Sequence, residues 1–293
     1  MMYNLSDIGT VKRLLEENGF HFSKSLGQNF LIDPEVCPQM ANEAVSDGET
    51  GIIEIGAGVG VLTTELAKRA EKVVSIELDK RLLPILSKTL CDFDNVEIVN
   101  EDVLKVDLKR LIKEKFGDRK VSVCANLPYY ITSPVIMKLL ESKLEIEKII
   151  VMVQKEAADR ICAEVGDRDS GALTAAVNYY SKAEKLFFVP RESFIPSPKV
   201  DSEVISLRLL KESPVKPKDE TVFWQTVKAA FAQRRKTAVN SLSAGLSIEK
   251  SAVSLILKEC GFEENIRAER FTMNDFCLLA DRITDYKIKG ENR

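Results

Sequence analysis

The stretch that decides the fold spans residues 51–63 and reads GIIEIGAGVGVLT. A short apolar run ends at Ile55, and Gly56, Gly58 and Gly60 follow at once, before an amphipathic stretch begins at Val61. Glycine lets the backbone turn sharply between a strand and a helix and lets it approach a ligand closely. The pattern therefore predicts a strand–turn–helix unit whose turn faces a ligand.

Similar apolar runs continue along the chain and alternate with amphipathic stretches as far as about residue 155. These runs are KVVSIELD, VEIVNED, VSVCANL and KIIVMVQK. Such alternation is typical of a parallel, doubly wound α/β sheet. Two further candidate strands, KLFFVP and VDSEVISLRLL, lie too close together for a crossover helix, so they favour antiparallel pairing. We predict a Rossmann-like sheet of seven strands, mostly parallel with an antiparallel final strand.

A charged, proline-containing stretch, KESPVKPKDE, separates the last predicted strand from an all-helical pattern. We therefore expect a first domain of residues 1–211, with an N-terminal extension, and a small all-helical domain of residues 212–293. In the second domain, Ser247 can cap a helix that ends at Gly261, and Thr272 with Asp275 forms a capping-box pattern.

In the N-terminal extension, Asp33 followed by Pro34 predicts a helix over residues 34–46, since aspartate caps helices and proline suits their first position. The segment KSLGQNFL just before it is predicted to be a loop.

Composition excludes several classes of protein. No stretch approaches the ~20 apolar residues of a membrane span, and the polar start lacks the apolar core of a secretory signal. We therefore expect a cytoplasmic protein with no membrane partner. The six cysteines have no CxxC spacing, and the single histidine, His21, forms no metal or triad cluster, so we expect neither a metal site nor a disulfide framework. The net charge of −3 means that any polyanion partner must be met by a local basic patch.

The acidic residue that ends the second strand indicates a nucleoside-bearing cofactor. Glu77 lies about 20 residues beyond the glycine turn, where a carboxylate can accept hydrogen bonds from both ribose hydroxyls. The turn has GxGxG spacing, whereas a dinucleotide pyrophosphate is normally held by the longer GxGxxG loop. Glu54 also adds negative charge near the position of a cationic cofactor. These features favour S-adenosylmethionine over a nicotinamide dinucleotide. Asp102, at the end of the third strand, can reach the cofactor's adenine.

The motif Asn126-Leu127-Pro128-Tyr129 ends the fourth strand, at the edge where such sheets place their chemistry. An adenine N6 amine is a poor nucleophile because its lone pair is delocalised into the ring. The Asn126 side-chain oxygen and the Leu127 carbonyl can accept hydrogen bonds from its two N–H groups, and Pro128 restricts the direction in which that carbonyl points. Tyr129 offers a ring for stacking a flipped base, worth ~1–3 kcal/mol. The motif predicts methyl transfer to the exocyclic amine of adenine without a strong base.

With these motifs the chain resembles the ribosomal RNA adenine dimethyltransferase family, and within it the bacterial KsgA type. The resemblance covers nearly the whole sequence and rests on KSLGQNFL, EIGAGVGVLT, IELD, EDVL, NLPYYI, VMVQKE, VPRESFIPSPKVDS and AFAQRRKT. It implies dimethylation of two adjacent adenosines near the 3′ end of 16S small-subunit ribosomal RNA, during assembly of the 30S subunit. Ala57 stands where many members of the family have proline, which should alter only the stiffness of the loop.

The resemblance also implies roles for individual residues. Asn29 and Leu31 should contact the methionine end of S-adenosylmethionine, and Gly56 and Gly58 should form its backbone cradle. The remaining assignments are Glu77 at the ribose, Asp102 at the adenine, Asn126 at the junction with the target amine, and Phe194 facing Tyr129 across the flipped base.

A basic segment, KAAFAQRRKT, is the candidate RNA-binding surface. It holds Lys228, Arg234, Arg235 and Lys236 without an acidic residue, while Phe223, Val227 and Phe231 at helical spacing would bury the opposite face. This predicts a ridge that binds RNA phosphates, and a solvated helix face is the alternative. Lys24, in KSLGQNFL, is assigned to the same RNA surface. We expect a monomer.

Three other functions stay open at this point. Macrolide-resistance methyltransferases of large-subunit RNA share the fold and an Asn-x-Pro-Tyr motif, but Leu127, Tyr130 and AFAQRRKT favour the small-subunit type. An NAD-dependent oxidoreductase would need a proton donor such as a Tyr-x-x-x-Lys pair, and we find no convincing one. A non-catalytic role as an RNA-binding assembly factor could coexist with catalysis.

Overall fold

The computed structural model describes residues 3–22, 27–233 and 235–291. The chain forms two compact units. The first comprises residues 1–158 and 182–209, and the second comprises residues 159–181 and 210–293. The expected boundary after residue 211 lies close to the observed one, but residues 159–181 were expected in the first domain. They belong to the second unit because Tyr179 packs against Phe223, with ring centroids 5.2 Å apart.

The helices and strands are numbered in chain order. The helices are α1 (Ile8–Glu17), α2 (Val36–Ala44), α3 (Val61–Ala67), α4 (Leu83–Thr89), α5 (Leu108–Phe116), α6 (Thr132–Glu141), α7 (Lys155–Ile161), α8 (Ala172–Tyr180), α9 (Glu220–Phe231), α10 (Ala238–Leu246), α11 (Lys250–Glu259) and α12 (Met273–Glu291). The strands are β1 (Phe30–Leu31), β2 (Gly51–Ile55), β3 (Lys72–Ile76), β4 (Val96–Val99), β5 (Val121–Asn126), β6 (Lys148–Gln154), β7 (Ser181–Val189), β8 (Phe194–Ile195) and β9 (Ser202–Leu209).

Seven of these strands form one sheet in the order β4-β3-β2-β5-β6-β9-β7. The pairs β2–β3, β2–β5, β3–β4 and β5–β6 are parallel, and β9 runs antiparallel to β6. The predicted sheet of mostly parallel strands with an antiparallel final strand is confirmed. Every residue of β2 is buried, as expected for a central strand covered on both faces. The carboxyl ends of β2, β3, β4 and β5 therefore meet at one edge.

A second, two-stranded sheet lies outside the main one and was not predicted. Phe30 pairs with Ile195 and Leu31 with Phe194 in antiparallel register. The Ile32 N–H also donates to the Ser193 carbonyl at 2.9 Å, and the Ser193 hydroxyl donates to Asp33 Oδ2 at 2.8 Å. The prediction of a loop was therefore wrong for Phe30 and Leu31. A strand of two residues shows no period in the sequence.

Helix α2 begins later than Asp33 and Pro34 predicted. Its first helical residue is Val36 and its N-cap is Glu35, which makes no side-chain capping bond. Asp33 Oδ1 instead accepts from the Glu35 N–H at 3.0 Å within a turn, and its other oxygen is bonded to Ser193. Because both oxygens are engaged outside the helix, the helix starts after the turn.

In the second unit, helices α8 to α12 enclose a core that includes the fully buried Phe223, Phe271 and Phe276. The predicted capping box is confirmed: the Thr272 N–H donates to Asp275 Oδ2 at 2.8 Å, and the Asp275 N–H donates to Thr272 Oγ1 at 3.2 Å. The prediction for Ser247 was wrong. Ser247 ends α10 with φ of 56°, and Glu249 precedes α11 instead.

Within residues 3–22, 27–233 and 235–291, no helix combines the length and apolarity that crossing a membrane requires.

Candidate active site

A cavity of about 270 Å³ opens at the carboxyl ends of β2, β3 and β5, within the first unit. Every residue predicted to bind the cofactor or to act in catalysis lines it. They are Asn29, Leu31, Gly56, Gly58, Glu77, Asp102, Asn126, Leu127, Pro128, Tyr129 and Phe194. These residues come from separate segments of the chain, and the sheet topology brings them together because ligands bind beyond the carboxyl ends of parallel strands.

The glycine turn between β2 and α3 has a backbone that other residues rarely adopt. Gly56, Gly58 and Gly60 have φ values of 84°, 58° and 94°. A Cβ atom on Gly58 would also lie 3.3 Å from the Phe30 ring, which is tighter than ordinary packing. Glycine is therefore required both for the turn and for the close approach of the N-terminal segment to it.

Glu77 is buried and held by two backbone donors. Its Oε2 accepts from the Gly58 N–H at 3.0 Å and its Oε1 accepts from the Asp79 N–H at 2.8 Å. Burial raises the pKa of Glu77, while these N–H groups act in the opposite direction. A carboxylate offers about four acceptor positions, so each oxygen can accept one more hydrogen bond. The side chain is thus prepared to accept from two neighbouring hydroxyls.

Glu54, which was predicted to place a negative charge beside the cofactor, is not among the described residues that line the cavity. Glu54 is fully buried, and its Oε2 accepts from the Thr63 hydroxyl at 2.7 Å. Burial raises the pKa of Glu54 to about 7, so its carboxyl is about half protonated at neutral pH. Successive strand residues point to opposite faces, so Ile55, the next residue, lines the cavity instead. Glu54 joins the strand before the glycine turn to the helix after it.

Asp102 follows β4 and shapes the turn that lines the cavity. Its Oδ1 accepts from the Leu104 N–H at 3.0 Å. Leu78, Val103 and Leu104 also line the cavity and supply apolar surface near Glu77 and Asp102. These three apolar residues were not predicted to belong to the site. Their signal is the apolar residue that directly follows each of the two acidic residues.

The Asn126 motif closes the opposite side of the cavity. Asn126 ends β5 opposite Met152 of β6, and its backbone oxygen lies 3.8 Å from the position that a Cβ atom on Gly56 would occupy. Pro128 has φ of −56° and ψ of 130°, and its carbonyl accepts from the Ile131 N–H at 3.1 Å. The short helical turn that follows carries Tyr129. The local backbone is therefore held by strand pairing on one side and by this turn on the other.

Two aromatic side chains reach the cavity from different elements. Tyr129 follows the Asn126 motif, and its hydroxyl lies 2.7 Å from the hydroxyl of buried Ser202, at the start of β9. Burial raises the pKa of Tyr129, so its hydroxyl stays protonated at neutral pH. Phe194 is buried in β8, where pairing with Leu31 of β1 fixes its backbone. The unpredicted β1–β8 pair thus joins a residue predicted to bind the cofactor to a residue predicted to hold the base.

Of the basic residues predicted to bind RNA, those of the segment KAAFAQRRKT belong to the second unit. Lys228 is exposed on α9, and Arg235 and Lys236 are exposed in the turn before α10. Helix α9 ends at Phe231, so Arg235 and Lys236 do not lie on a helix face. Phe223, Val227 and Phe231 are buried, as predicted. Arg234 and Lys24 lie outside the described residues.

Across the part of the chain that the structure describes, no group of three or more histidine, cysteine or acidic side chains could hold a metal ion.

Comparison with known proteins places the chain in a family. The family described as "Ribosomal RNA adenine dimethylase" matches residues 19–285. The chain is 47% identical over 287 residues to the ribosomal RNA small subunit methyltransferase A of Geobacillus sp. (strain WCH70), covering 97% of this chain and 99% of that protein. It is 46% identical over 282 residues to the protein of the same name from Clostridioides difficile (strain 630), covering 96% and 98%.

Two solved structures resemble the whole fold. A dimethyladenosine transferase from Plasmodium falciparum superposes with a TM-score of 0.69 and 26% identity, over 89% of this chain and 98% of that one. The 23S rRNA methyltransferase ErmE superposes with a TM-score of 0.65 and 27% identity, over 87% and 100%. The match to the family spans most of the sequence, from residue 19 to residue 285. The chain therefore belongs to the ribosomal RNA adenine dimethylase family.

Proposed function

We propose that this chain transfers methyl groups from S-adenosylmethionine to the N6 amines of two adjacent adenosines near the 3′ end of 16S ribosomal RNA. The products are N6,N6-dimethyladenosines, formed during assembly of the 30S subunit. The observation that carries the proposal is that Glu77, Asn126 and Tyr129 line one and the same cavity. Relatives at 46–47% identity are named as small-subunit methyltransferases, which supports 16S RNA as the substrate.

The residues of the cavity fit S-adenosylmethionine. Glu77 has two acceptor positions for the ribose hydroxyls, Asp102 lies near the place for the adenine, and Leu78, Val103 and Leu104 can cover its ring. Asn29, Leu31 and the Gly56–Gly58 backbone would hold the methionine end. When bound, this group supplies a methyl carbon made electrophilic by its sulfonium.

The protein's own part in the reaction is to position the amine. The Asn126 side-chain oxygen and the Leu127 carbonyl accept hydrogen bonds from the two N–H groups, which draws the nitrogen towards a tetrahedral geometry and takes its lone pair out of conjugation with the ring. Tyr129 and Phe194 hold the base between them, and the Ser202 hydroxyl holds the Tyr129 ring in place. The new N–C bond replaces the methyl–sulfur bond, so S-adenosylhomocysteine is the leaving group, and the amine proton, now acidic, leaves to water. Rate enhancement then comes from proximity and placed acceptors.

The helical domain of residues 212–293 is proposed to bind RNA, with Lys228, Arg234, Arg235 and Lys236 contacting phosphates. The exposure of Lys228, Arg235 and Lys236 supports this role, since counterions are released when lysine and arginine neutralise phosphates. Lys24 is assigned to the same surface. We further propose that the protein acts as a cytoplasmic monomer, without a metal, on an immature 30S subunit.

Of the alternative functions, a large-subunit methyltransferase of the macrolide-resistance type has one supporting observation, the fold similarity to ErmE at 27% identity. The higher identity to small-subunit enzymes favours 16S RNA. An NAD-dependent oxidoreductase has no such support. A role as an assembly factor is compatible with catalysis, because an enzyme bound to an immature subunit also delays its maturation.

The decisive experiment incubates the purified protein with labelled S-adenosylmethionine and, separately, unmethylated 30S and 50S subunits, and then maps the modified nucleotides. We expect label on two adjacent adenosines of 16S RNA, as dimethyladenosine. Label on 23S RNA alone would support the macrolide-resistance alternative and overturn the proposal. The Asn126→Ala variant serves as the control for contaminating activity.

A further inference from the structure

A salt bridge at the end of β3 has no part in the mechanism above. The Arg81 guanidinium holds the Asp79 carboxylate with two bonds, from Nε to Oδ1 at 2.8 Å and from Nη2 to Oδ2 at 2.6 Å. The Arg81 backbone N–H also donates to Oδ1 at 3.1 Å. Such a forked pair fixes the direction of both side chains, unlike a single lysine contact.

The same pair holds the N-terminal segment at three points. Gln28 Nε2 donates to Asp79 Oδ2 at 2.7 Å, and Arg81 Nη1 donates to the His21 carbonyl at 3.3 Å. The Arg81 guanidinium also lies 4.9 Å from the centre of the Phe20 ring, within the range of a cation–π contact. The pair therefore attaches residues far apart in sequence to the end of one strand.

The attached segment continues directly into the cavity. Gln28 precedes Asn29, and both line the cavity together with Leu31. Phe30, between them, packs on Phe20 and Phe22 with ring centroids 6.0 Å and 5.4 Å apart. Asn29 is thus attached on its N-terminal side by contacts that Arg81 organises, whereas Leu31 on its other side is also held by pairing with Phe194.

We propose that the Asp79–Arg81 pair is a positioning device that holds the N-terminal segment over the methionine end of the cofactor site. It thereby gives the site its preference for nucleosides that carry an amino-acid chain. This inference rests on the proposed function, which assigns Asn29 and Leu31 to the methionine end. The bonds that hold Glu77 do not use the paired side chains. They come from the backbone N–H groups of Gly58 and Asp79, so the ribose end should depend on the Arg81 guanidinium less than the methionine end does. Arg81 is not among the described residues that line the cavity, so it acts through Gln28 and Phe20.

The test measures binding of two probes to the full-length protein by calorimetry. S-Adenosylhomocysteine has both ends of the ligand, whereas adenosine has only the end that Glu77 holds. Arg81→Met keeps an apolar stem beside Phe20 and removes the fork. We expect S-adenosylhomocysteine to bind about 10-fold more weakly, because hydrogen bonds to a charged group are lost, and adenosine to change less than about 2-fold. The affinity of Arg81→Lys for S-adenosylhomocysteine should lie between those of wild type and Arg81→Met.

The matched control is Arg110→Met, which removes the exposed Arg110–Glu114 pair of 2.7 Å on α5, away from the cavity. It should bind both probes like the wild type. A second readout is hydrogen exchange of residues 27–32: bound S-adenosylhomocysteine should slow it strongly in wild type and weakly in Arg81→Met.

The outcomes are distinguishable. If wild type binds no S-adenosylhomocysteine, the proposed cofactor is wrong and this inference fails with it. If wild type binds S-adenosylhomocysteine and Arg81→Met binds each probe as tightly as wild type does, the proposed function stands and the pair has no positioning role. An equal loss for both probes would show that Arg81 supports the whole cavity, which also overturns the inference.

Discussion

The Tyr129 hydroxyl lies 2.7 Å from the hydroxyl of Ser202, at the start of β9, so the ring that is proposed to stack on the target base is held from its far end. This contact gives the hydroxyl a structural partner. It supports a role for Tyr129 through its ring, with the hydroxyl setting the ring's orientation.

We therefore expect Tyr129→Phe to retain methyl transfer within about 5-fold of wild type, because only one hydrogen bond is lost. Tyr129→Ala should fall by about 10- to 100-fold, since base stacking is worth ~1–3 kcal/mol. Ser202→Ala should resemble Tyr129→Phe. Single-turnover methyl transfer to unmethylated 30S subunits measures all three. A Tyr129→Phe variant as inactive as Asn126→Ala would mean that the hydroxyl takes part in the chemistry.

Asn126→Ala removes an acceptor that is needed most in the transition state. We expect turnover to fall about 100-fold or more, by analogy with the loss of one positioned hydrogen-bonding group at an oxyanion site. Binding of the 30S subunit should not change, and filter binding provides that control. If turnover falls less than about 5-fold in a folded variant, the amine is positioned by other groups.

Glu77→Ala should weaken S-adenosylhomocysteine binding by about 1.5–3 kcal/mol, because two acceptors for the ribose hydroxyls are lost. Glu77→Gln keeps one oxygen acceptor and should lose less. Calorimetry measures both variants, and a 2′-deoxyadenosine analogue should lose affinity for wild type but not for Glu77→Ala. Equal affinity of wild type and a folded Glu77→Ala would contradict the ribose assignment.

Glu54 should make stability depend on pH. Its folded pKa of about 7 lies above the ordinary value of 4.5, so between these pH values the folded state keeps a proton that the unfolded state has lost. Stability therefore falls as pH rises from about 4.5 to about 7, and the effect is absent below that window. Glutamine at position 54 cannot titrate. Between pH 5 and pH 8 the free energy of unfolding of wild type should therefore decrease by about 2–3 kcal/mol more than that of Glu54→Gln.

Urea unfolding at the two pH values measures this difference. Parallel pH curves for wild type and Glu54→Gln would contradict the raised pKa of Glu54.

Replacing Arg234, Arg235 and Lys236 together by alanine should weaken binding to 30S subunits and flatten its dependence on salt, since fewer counterions are released. Affinity for S-adenosylhomocysteine should not move. The control replaces Lys68, Lys109 and Lys113, exposed residues of the first unit, by alanine. An identical salt slope for wild type and the Arg234 triple variant would leave this segment as solvated surface.

Much of the fold could be read from the chain because the deciding signals are local. The strands of the sheet are short apolar runs, and the rules for parallel strands place their carboxyl ends at one edge. Glu77, Asp102 and Asn126 each stand at or just beyond such an end, so three separate segments could be assigned to one site before their distances were known. The capping box of Thr272 and Asp275 was predictable for the same reason, since its partners lie within one helical turn.

Other features depend on partners that are distant in sequence. Phe30 and Leu31 form a strand only because Phe194 and Ile195 lie opposite them, and no two-residue pattern indicates this. Asp79 and Gln28 are separated by 51 positions yet share a hydrogen bond of 2.7 Å. Residues 159–181 belong to the second unit because Tyr179 packs against Phe223, and no feature of the local sequence marks a domain boundary there.

Glu54 shows the division most directly. The sequence by itself determined that an acidic residue stands two positions before the glycine turn. From that position alone, a negative charge beside the cofactor was the natural interpretation. Only the tertiary structure decided that its side chain points to Thr63 on α3, where burial removes it from water and raises its pKa to about 7. Local sequence patterns determine which residues stand at the edge of the sheet. The direction of a side chain and its ionisation depend instead on burial and on residues that are close only in the folded protein.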